Sequence, residues 1–256
     1  MRIVIKIGTS TLTYLNGNLN VHMFENLCKT IADIKNAGNE VIIVSSGAIA
    51  LGKSKLALKE RPSDIPTKQA VAAVGQCELM CFYDRAFSQY HHTAAQVLIT
   101  AEDFENGERR KNFVNTLERL LNLGALPVIN ENDTVATAEI SVSDNDTLSA
   151  LVAVNVKADL LVLLSDIDGL YSADPHKDKN ARLIPEVDEI TPEIEKLAGG
   201  SVSGVGTGGM ATKIHAAKIC NNAGCDMVIA NGSSPELLYD ILEGKAAGTL
   251  FKGKKL

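Results

Sequence analysis

The sequence has no long apolar run, no cationic stripe and no paired-cysteine motif, and each absence removes a class of function. The opening segment MRIVIKIG is apolar but meets charge and glycine within a few residues. It is too short for the apolar core of a signal peptide or for a membrane span, and it reads as the first strand of a soluble, cytoplasmic protein. The formal charge is −6, and the basic residues are scattered apart from a short FKGKKL tail. Nucleic acid is therefore not expected as a partner. Cys28, Cys77, Cys81, Cys220 and Cys225 are odd in number and contain no C-x-x-C spacing, so neither a disulfide framework nor a zinc site is expected. Cys77 and Cys81 stand one helical turn apart and are expected to be buried free thiols, in keeping with a reducing compartment.

What is present is enough apolar material for a large core: 45% of 256 residues are hydrophobic, which excludes disorder. Short β-branched runs alternate with helical patterns almost from end to end, the signature of an α/β sheet. Strands are expected at 3–7, 41–44, 95–99, 126–129, 160–164 and 226–230. Most are too apolar to face water on either side, so they should be central strands covered by helices. Phe24, Leu27, Cys28, Ile31 and Ile34 repeat at helical spacing, with Gly38 as the stop. Further helices are expected over 67–90 and 111–123 and after Asp144 and Met210. No repeat or low-complexity linker interrupts the series, so 1–256 is expected to form one domain.

Five segments carry chemistry. KIGTS, 6–10, puts a lysine at the end of the first strand, followed by a glycine and two hydroxyls. In an open parallel sheet ligands bind outside the carboxyl ends of the strands, where phosphates need a cation and close approach needs glycine. SSGAIALG, 45–52, places Ser46 and a glycine where the second strand becomes a helix, a turn able to present donors to an anion or simply to cap the helix. INENDTVATAEISVSDNDTLSALVA, 129–153, packs amides and carboxylates into two clusters, 130–133 and 144–146; such groups can be mere helix caps, and Asp144 could be one, but two clusters are hard to explain as caps alone. The two clusters could orient a substrate ammonium, hold catalytic lysines or contact hydrated magnesium. SDIDGLYSADP, 165–175, is an irregular loop at another strand's carboxyl end. SVSGVGTGGMATK, 201–213, satisfies G-x-G-x-x-G, but no strand precedes it, and Met210 stands where a Walker lysine would follow. What remains is a glycine loop feeding a helix whose first turn carries Thr212 and Lys213, where an anion would offset a cation placed against the helix dipole.

Lysines at two distant glycine turns, with carboxylates and amides between them, suit phosphoryl transfer. No histidine lies near these motifs. An acceptor carboxylate, ionised at neutral pH, needs no general base, whereas an alcohol would call for one, so the residues lean toward acyl-phosphate formation.

KIGTS, SSGAIALG, AAVGQ, INENDTVATAEI, DNDTLSALVA, GLYSADP, SVSGVGTGGMATK and the terminal GTLF span nearly the whole chain. In that order they resemble the amino-acid kinase family in its glutamate-phosphorylating branch. KIGTS and the paired NDTVAT and DNDTLSA blocks are more specific than the glycine loops. The resemblance implies a three-layer αβα sandwich around a central, mostly parallel sheet, with ATP and L-glutamate across the strands' carboxyl ends. The N-terminal part would form the substrate side and residues about 160–256 the nucleotide side. It also implies catalytic roles for Lys6 and Lys213, which neutralise the phosphoryl group, and for Asp146, which holds them. Ser46, Asp133 and Asn145 would bind glutamate. Lys6, Ser165, Asp166, Thr207, Gly208, Gly209, Met210, Ala211, Thr212 and Lys213 would bind ATP. Magnesium (Mg2+) would be held mainly by ATP phosphates and water, with no residue assigned as its ligand.

The implied product is γ-glutamyl phosphate, the first intermediate of proline biosynthesis, passed to glutamate-5-semialdehyde dehydrogenase. Proline would be a feedback inhibitor, and a homo-oligomer is expected. Two departures from the family pattern stand out. Ser165 replaces a frequent threonine and keeps the hydroxyl, and the C-terminal PUA domain of many relatives is not expected after Leu256, which leaves oligomer geometry and feedback open. One rival keeps the fold and takes N-acetylglutamate, aspartate, carbamate or UMP, for which a second glycine in place of Thr9 would be the mark. A silent amino-acid sensor would not need Lys6, Asp146 and Lys213, and an NAD-binding module rests on GVGTGG alone.

Overall fold

The computed structural model describes residues 1–60, 62–136, 144–175, 177–198 and 209–254. Among them the β-branched runs form one eight-stranded sheet: β1 Arg2–Ile7, β2 Glu40–Ser45, β3 Ala94–Ile99, β4 Leu126–Glu131, β5 Leu160–Ser165, β6 Glu186–Val187, β7 Asp226–Asn231 and β8 Thr249–Phe251. The spatial order is β3-β4-β2-β1-β5-β7-β8-β6. Strands β3 to β7 in that order run parallel, β8 is antiparallel to β7, and β6 is parallel to β8. All six expected strands are present, each longer by one or more polar or small residues at its ends. The two further strands are only two and three residues long, too short to leave a period in the sequence.

Helices separate the strands: α1 Thr9–Leu12, α2 Val21–Asn36, α3 Ala48–Lys55, α4 Ile65–Ser88, α5 Ala101–Glu105, α6 Gly107–Asn122, α7 Asn145–Asn155, α8 Pro192–Ala198, α9 Met210–Asn222 and α10 Leu237–Leu242. Helix α6 begins four residues before its expected start, because Asn106 accepts hydrogen bonds from the backbone N–H of Glu108 and Arg109, both at 3.1 Å. Helix α2 ends as expected, at a turn where Gly38 takes φ +91°, a left-handed conformation that favours glycine.

Successive strand residues point to opposite faces, and this alternation divides the core in two. Ile3, Ile5 and Ile7 of β1 join Leu27 and Ile31 of α2, Leu79 and Tyr83 of α4 and Leu238 of α10. Val4 turns the other way, to Leu117 of α6, Leu148 and Val152 of α7 and Ile214 and Ala217 of α9. Lys6 follows Val4 by two residues, so the pleat carries it to the α7–α9 face. This is the three-layer αβα arrangement the motifs implied.

The expectation for Cys77 and Cys81 is corrected: both are exposed, whereas Cys28, Cys220 and Cys225 are buried. Helix α4 buries Val71, Ala72, Gly75, Gln76, Leu79 and Tyr83, and the two cysteines fall off that stripe. No described helix is long and apolar enough to cross a membrane. Helices α3 and α4 meet backbone to backbone at Gly52 and Gly75. A Cβ on Gly75 would lie 1.7 Å from the Ala48 carbonyl oxygen, and one on Gly52 would lie 2.0 Å from that of Val71.

Candidate active site

Because β2, β4, β1, β5 and β7 are parallel, their carboxyl ends share one edge, and the motif residues gather along it. Lys6 sits opposite Val44 of β2 and Leu163 of β5, near the middle of that edge. Asp144 starts α7 as an N-cap, accepting from the Thr147 N–H at 2.8 Å. Two residues later, in the first turn, Asp146 is wholly buried beneath Lys6 and the start of α9.

Lys6 Nζ stands 2.6 Å from Asp146 Oδ1, and Lys213 Nζ stands 3.0 Å from Asp146 Oδ2. The Thr212 hydroxyl lies 3.0 Å from the same Oδ2 and 2.8 Å from the Gly209 carbonyl oxygen, between which its one proton is shared. Both lysines are more than nine-tenths buried. Burial works to raise the Asp146 pKa, but the two ammonium groups outweigh it and hold the carboxyl below its ordinary value. Among the described residues the ion pairs of this cluster join two cations to one anion, in a place where water screens little. A buried cation excess of this kind is a standing site for an anion. A Cβ on Gly8 would meet the Leu164 carbonyl oxygen at 3.4 Å and Lys6 Nζ at 3.8 Å, ordinary contacts beside the lysine.

A second cluster adjoins the first through the Asn145–Asp146 peptide. Asn145 Nδ2 lies 2.9 Å from Ser46 Oγ, 3.0 Å from Asn130 Oδ1 and 3.1 Å from the Ser45 carbonyl oxygen, three acceptors that share its two protons. Ser46 is held here because its N–H donates to the Ile7 carbonyl at 3.0 Å and because Gly47, at φ +104°, turns the chain sharply into α3. Asn130 was legible only as part of the 130–133 cluster; the structure makes it the bridge between β4 and α7.

The remaining expected residues are placed more loosely. Asp133 lies in the turn after β4, half-buried, and burial raises its pKa. Ser165 ends β5 and donates to Asp166 Oδ1 at 3.1 Å; Ser165 is buried and Asp166 exposed. Neither is hydrogen-bonded to the lysine cluster among the described residues. Gly209 caps α9, and Met210, Ala211, Thr212 and Lys213 form its first turn. Thr207 and Gly208 lie outside the described residues.

Sequence reasoning did not single out Gln76, which is buried on α4 and accepts from Asn130 Nδ2 at 2.9 Å. The available signal was a glutamine on the stripe of α4 that otherwise buries apolar and small residues. A polar residue in that position implies a buried partner.

Comparison with known proteins places this geometry. Residues 1–231 match the Amino acid kinase family. The glutamate 5-kinase of Clostridium perfringens is 51% identical, aligned over 99% of this chain and 96% of its own length. That of Carboxydothermus hydrogenoformans is 58% identical over 99% of this chain and 68% of its own length. Two solved structures share the fold. Isopentenyl phosphate kinase of T. acidophilum has a TM-score of 0.63 at 20% identity, covering 98% of this chain and 99% of that one. UMP kinase of Ureaplasma parvum has a TM-score of 0.66 at 17% identity, covering 98% of each.

Proposed function

The chain belongs to the amino acid kinase family, and we propose that it transfers the γ-phosphoryl group of ATP to the side-chain carboxylate of L-glutamate. The product is γ-glutamyl phosphate, and the reaction is the first step of proline biosynthesis. The observation that carries this reading is the seating of Lys6 and Lys213 on the two oxygens of buried Asp146. It stands in a chain half or more identical to glutamate 5-kinases over nearly all of its length.

In the reaction a glutamate carboxylate oxygen forms a bond to the γ-phosphorus as the bond from that phosphorus to the bridging oxygen breaks, and ADP leaves. Charge shifts across the transferring group, and Lys6 and Lys213 meet it from the strand edge and the helix turn. A unit charge pair at 4 Å is worth about 4 kcal/mol at an effective dielectric of about 20, which corresponds to roughly three orders of magnitude in rate. Asp146 keeps both ammonium groups in place before substrate arrives, so little reorganisation accompanies the transfer. The attacking carboxylate is already ionised at neutral pH and needs no base.

Ser46 and Asn145 bind glutamate at the adjoining cluster. Asp133, whose ionised form is disfavoured by burial, gains from the arrival of the substrate ammonium. Ser165, Asp166 and residues 207–213 bind ATP, with residues 1–159 forming the substrate side and about 160–256 the nucleotide side of one domain. For magnesium, the described residues contain no cluster of three or more His, Cys, Asp or Glu side chains suited to a metal. Both oxygens of Asp146 already face lysines. The ion would be held by the nucleotide's phosphates and water, where it would supply charge neutralisation. The proposal extends to a homo-oligomer in the cytoplasm that binds no nucleic acid, inhibited by proline and coupled to glutamate-5-semialdehyde dehydrogenase, which would consume the labile product.

The test is to incubate the purified chain with ATP, magnesium and hydroxylamine, offering glutamate, N-acetylglutamate, aspartate or carbamate in turn. Glutamate-dependent hydroxamate equal to the ADP released is expected. ADP release with another acceptor and none with glutamate would overturn the substrate, and ADP without hydroxamate would overturn the acyl phosphate.

A further inference from the structure

The amide chain beside the lysine cluster has a fixed polarity, and that polarity leaves a donor over. The Glu131 backbone N–H can only donate, and it does so to Asn130 Oδ1 at 2.9 Å. The Ser45 carbonyl can only accept, and it receives Asn145 Nδ2 at 3.1 Å. These two backbone groups fix both asparagines: Asn130 turns its oxygen to Asn145 and its Nδ2 to Gln76. Gln76 must answer with Oε1, so its Nε2 is the donor that remains. That nitrogen is buried and has no hydrogen-bond partner among the described residues, while Gln76 as a whole is only 8% exposed. At the other end of the chain, Ser46 Oγ accepts from Asn145, so its own proton is left for an acceptor.

An amide donor left unmet in the interior costs as much as a lost hydrogen bond, unless a ligand completes it. The backbone beside Gln76 is closely packed. Its neighbour Gly75 packs against the Ala48 carbonyl and Gly52 of α3, the helix that follows Ser46, so this packing ties the helix of Gln76 to the turn of Ser46. Donors at both ends, with their polarity set by the backbone, match a ligand that brings acceptors only, which is what a carboxylate brings.

We infer that Gln76 is a further substrate-positioning residue: its carboxamide locks the Asn130–Asn145–Ser46 chain with donors outward and offers Nε2 to a carboxylate of the amino-acid acceptor. The inference rests on the proposed glutamate kinase reading and adds the residue that selects an acceptor-only group. Two variants separate its parts. Gln76→Met keeps the length and loses both polar atoms, whereas Gln76→Glu keeps an oxygen for Asn130 and replaces the amide donor.

The experiment measures glutamate binding by calorimetry, and kcat and KM for glutamate and ATP, on the wild type and both variants. Both variants are expected to bind glutamate about ten- to a hundredfold more weakly, the loss of one hydrogen bond to a charged group. The KM for ATP should stay within twofold. Variants that match the wild type for glutamate would overturn the inference alone, as would a parallel rise in both KM values, which marks general damage. Wild-type affinity in Gln76→Glu would remove the Nε2 donor from the proposal. A wild type that neither binds nor phosphorylates glutamate would overturn the kinase reading and this inference together.

Discussion

Strand β1 carries an ion cluster at each end, and the two are opposites. At its amino end Arg2 meets Glu40 at 2.8 Å and Glu118 at 2.5 Å, one cation between two carboxylates that are both more than two-fifths exposed. At its carboxyl end Lys6 joins Lys213 around Asp146, two cations on one carboxylate, all buried. The first cluster has one more anion than cation, but its carboxylates are wet and water screens the surplus, which suits a tie between β1, β2 and α6. The second joins two cations to one anion among the described residues and is dry, so it favours the approach of an anion. Ion pairing alone does not mark a functional site; the sign of the surplus charge and its distance from water do.

The sharpest way to break this contrast is Asp146→Asn. Removing the one anion leaves two buried ammonium groups facing each other, and the fold should lose about 3–5 kcal/mol. The kcat should fall by about a thousandfold or more as the lysines move apart. Because Asp146 has a folded pKa below its unfolded value, its stabilisation is complete above the unfolded pKa and is lost as pH falls through the folded one. The variant should therefore flatten the acid limb of a stability–pH curve measured by denaturant titration. An unchanged acid limb would mean that the pairing contributes nothing to the native state.

A smaller effect tests the scaffold between the clusters. Gly75→Ala would bring a methyl group to within 1.7 Å of the Ala48 carbonyl unless α3 and α4 separate, an overpacking that costs about 1–3 kcal/mol in thermal or denaturant melts. The smallest effect belongs to the amino end. Arg2→Met should cost about 1 kcal/mol or less, since its partners are largely solvated, and should leave kcat and both KM values unchanged. A large loss of activity in Arg2→Met would erase the contrast between the two ends.

Much of this was readable from the chain. The six long strands were visible because β-branched runs are local, and Lys6, Asp146 and Lys213 were visible because each sits in a compact motif. Their meeting was implied by the family resemblance alone and not by the spacing of the residues. Asp146 pairs with Lys6 across β1 and α7 and with Lys213 across α7 and α9, partnerships set by the sheet's pleat and the helix packing rather than by sequence spacing. Gln76 stayed hidden for the same reason: its partner Asn130 lies 54 residues away on another element. Cys77 and Cys81 were misread because composition gives the average burial of a thiol, while the phase of α4 decides each one. The two-residue β6 and three-residue β8 hold the sheet's far edge with too few residues to show a period.

The measurement that bears most directly on the central claim is the kcat of Lys6→Ala and of Lys213→Ala at saturating ATP and glutamate, beside the glutamate affinity of each by calorimetry. If the two ammonium groups act on the transferring phosphoryl group, kcat falls by about a thousandfold or more in each variant while glutamate binding stays near the wild-type value. Near-normal kcat in either variant would contradict the account.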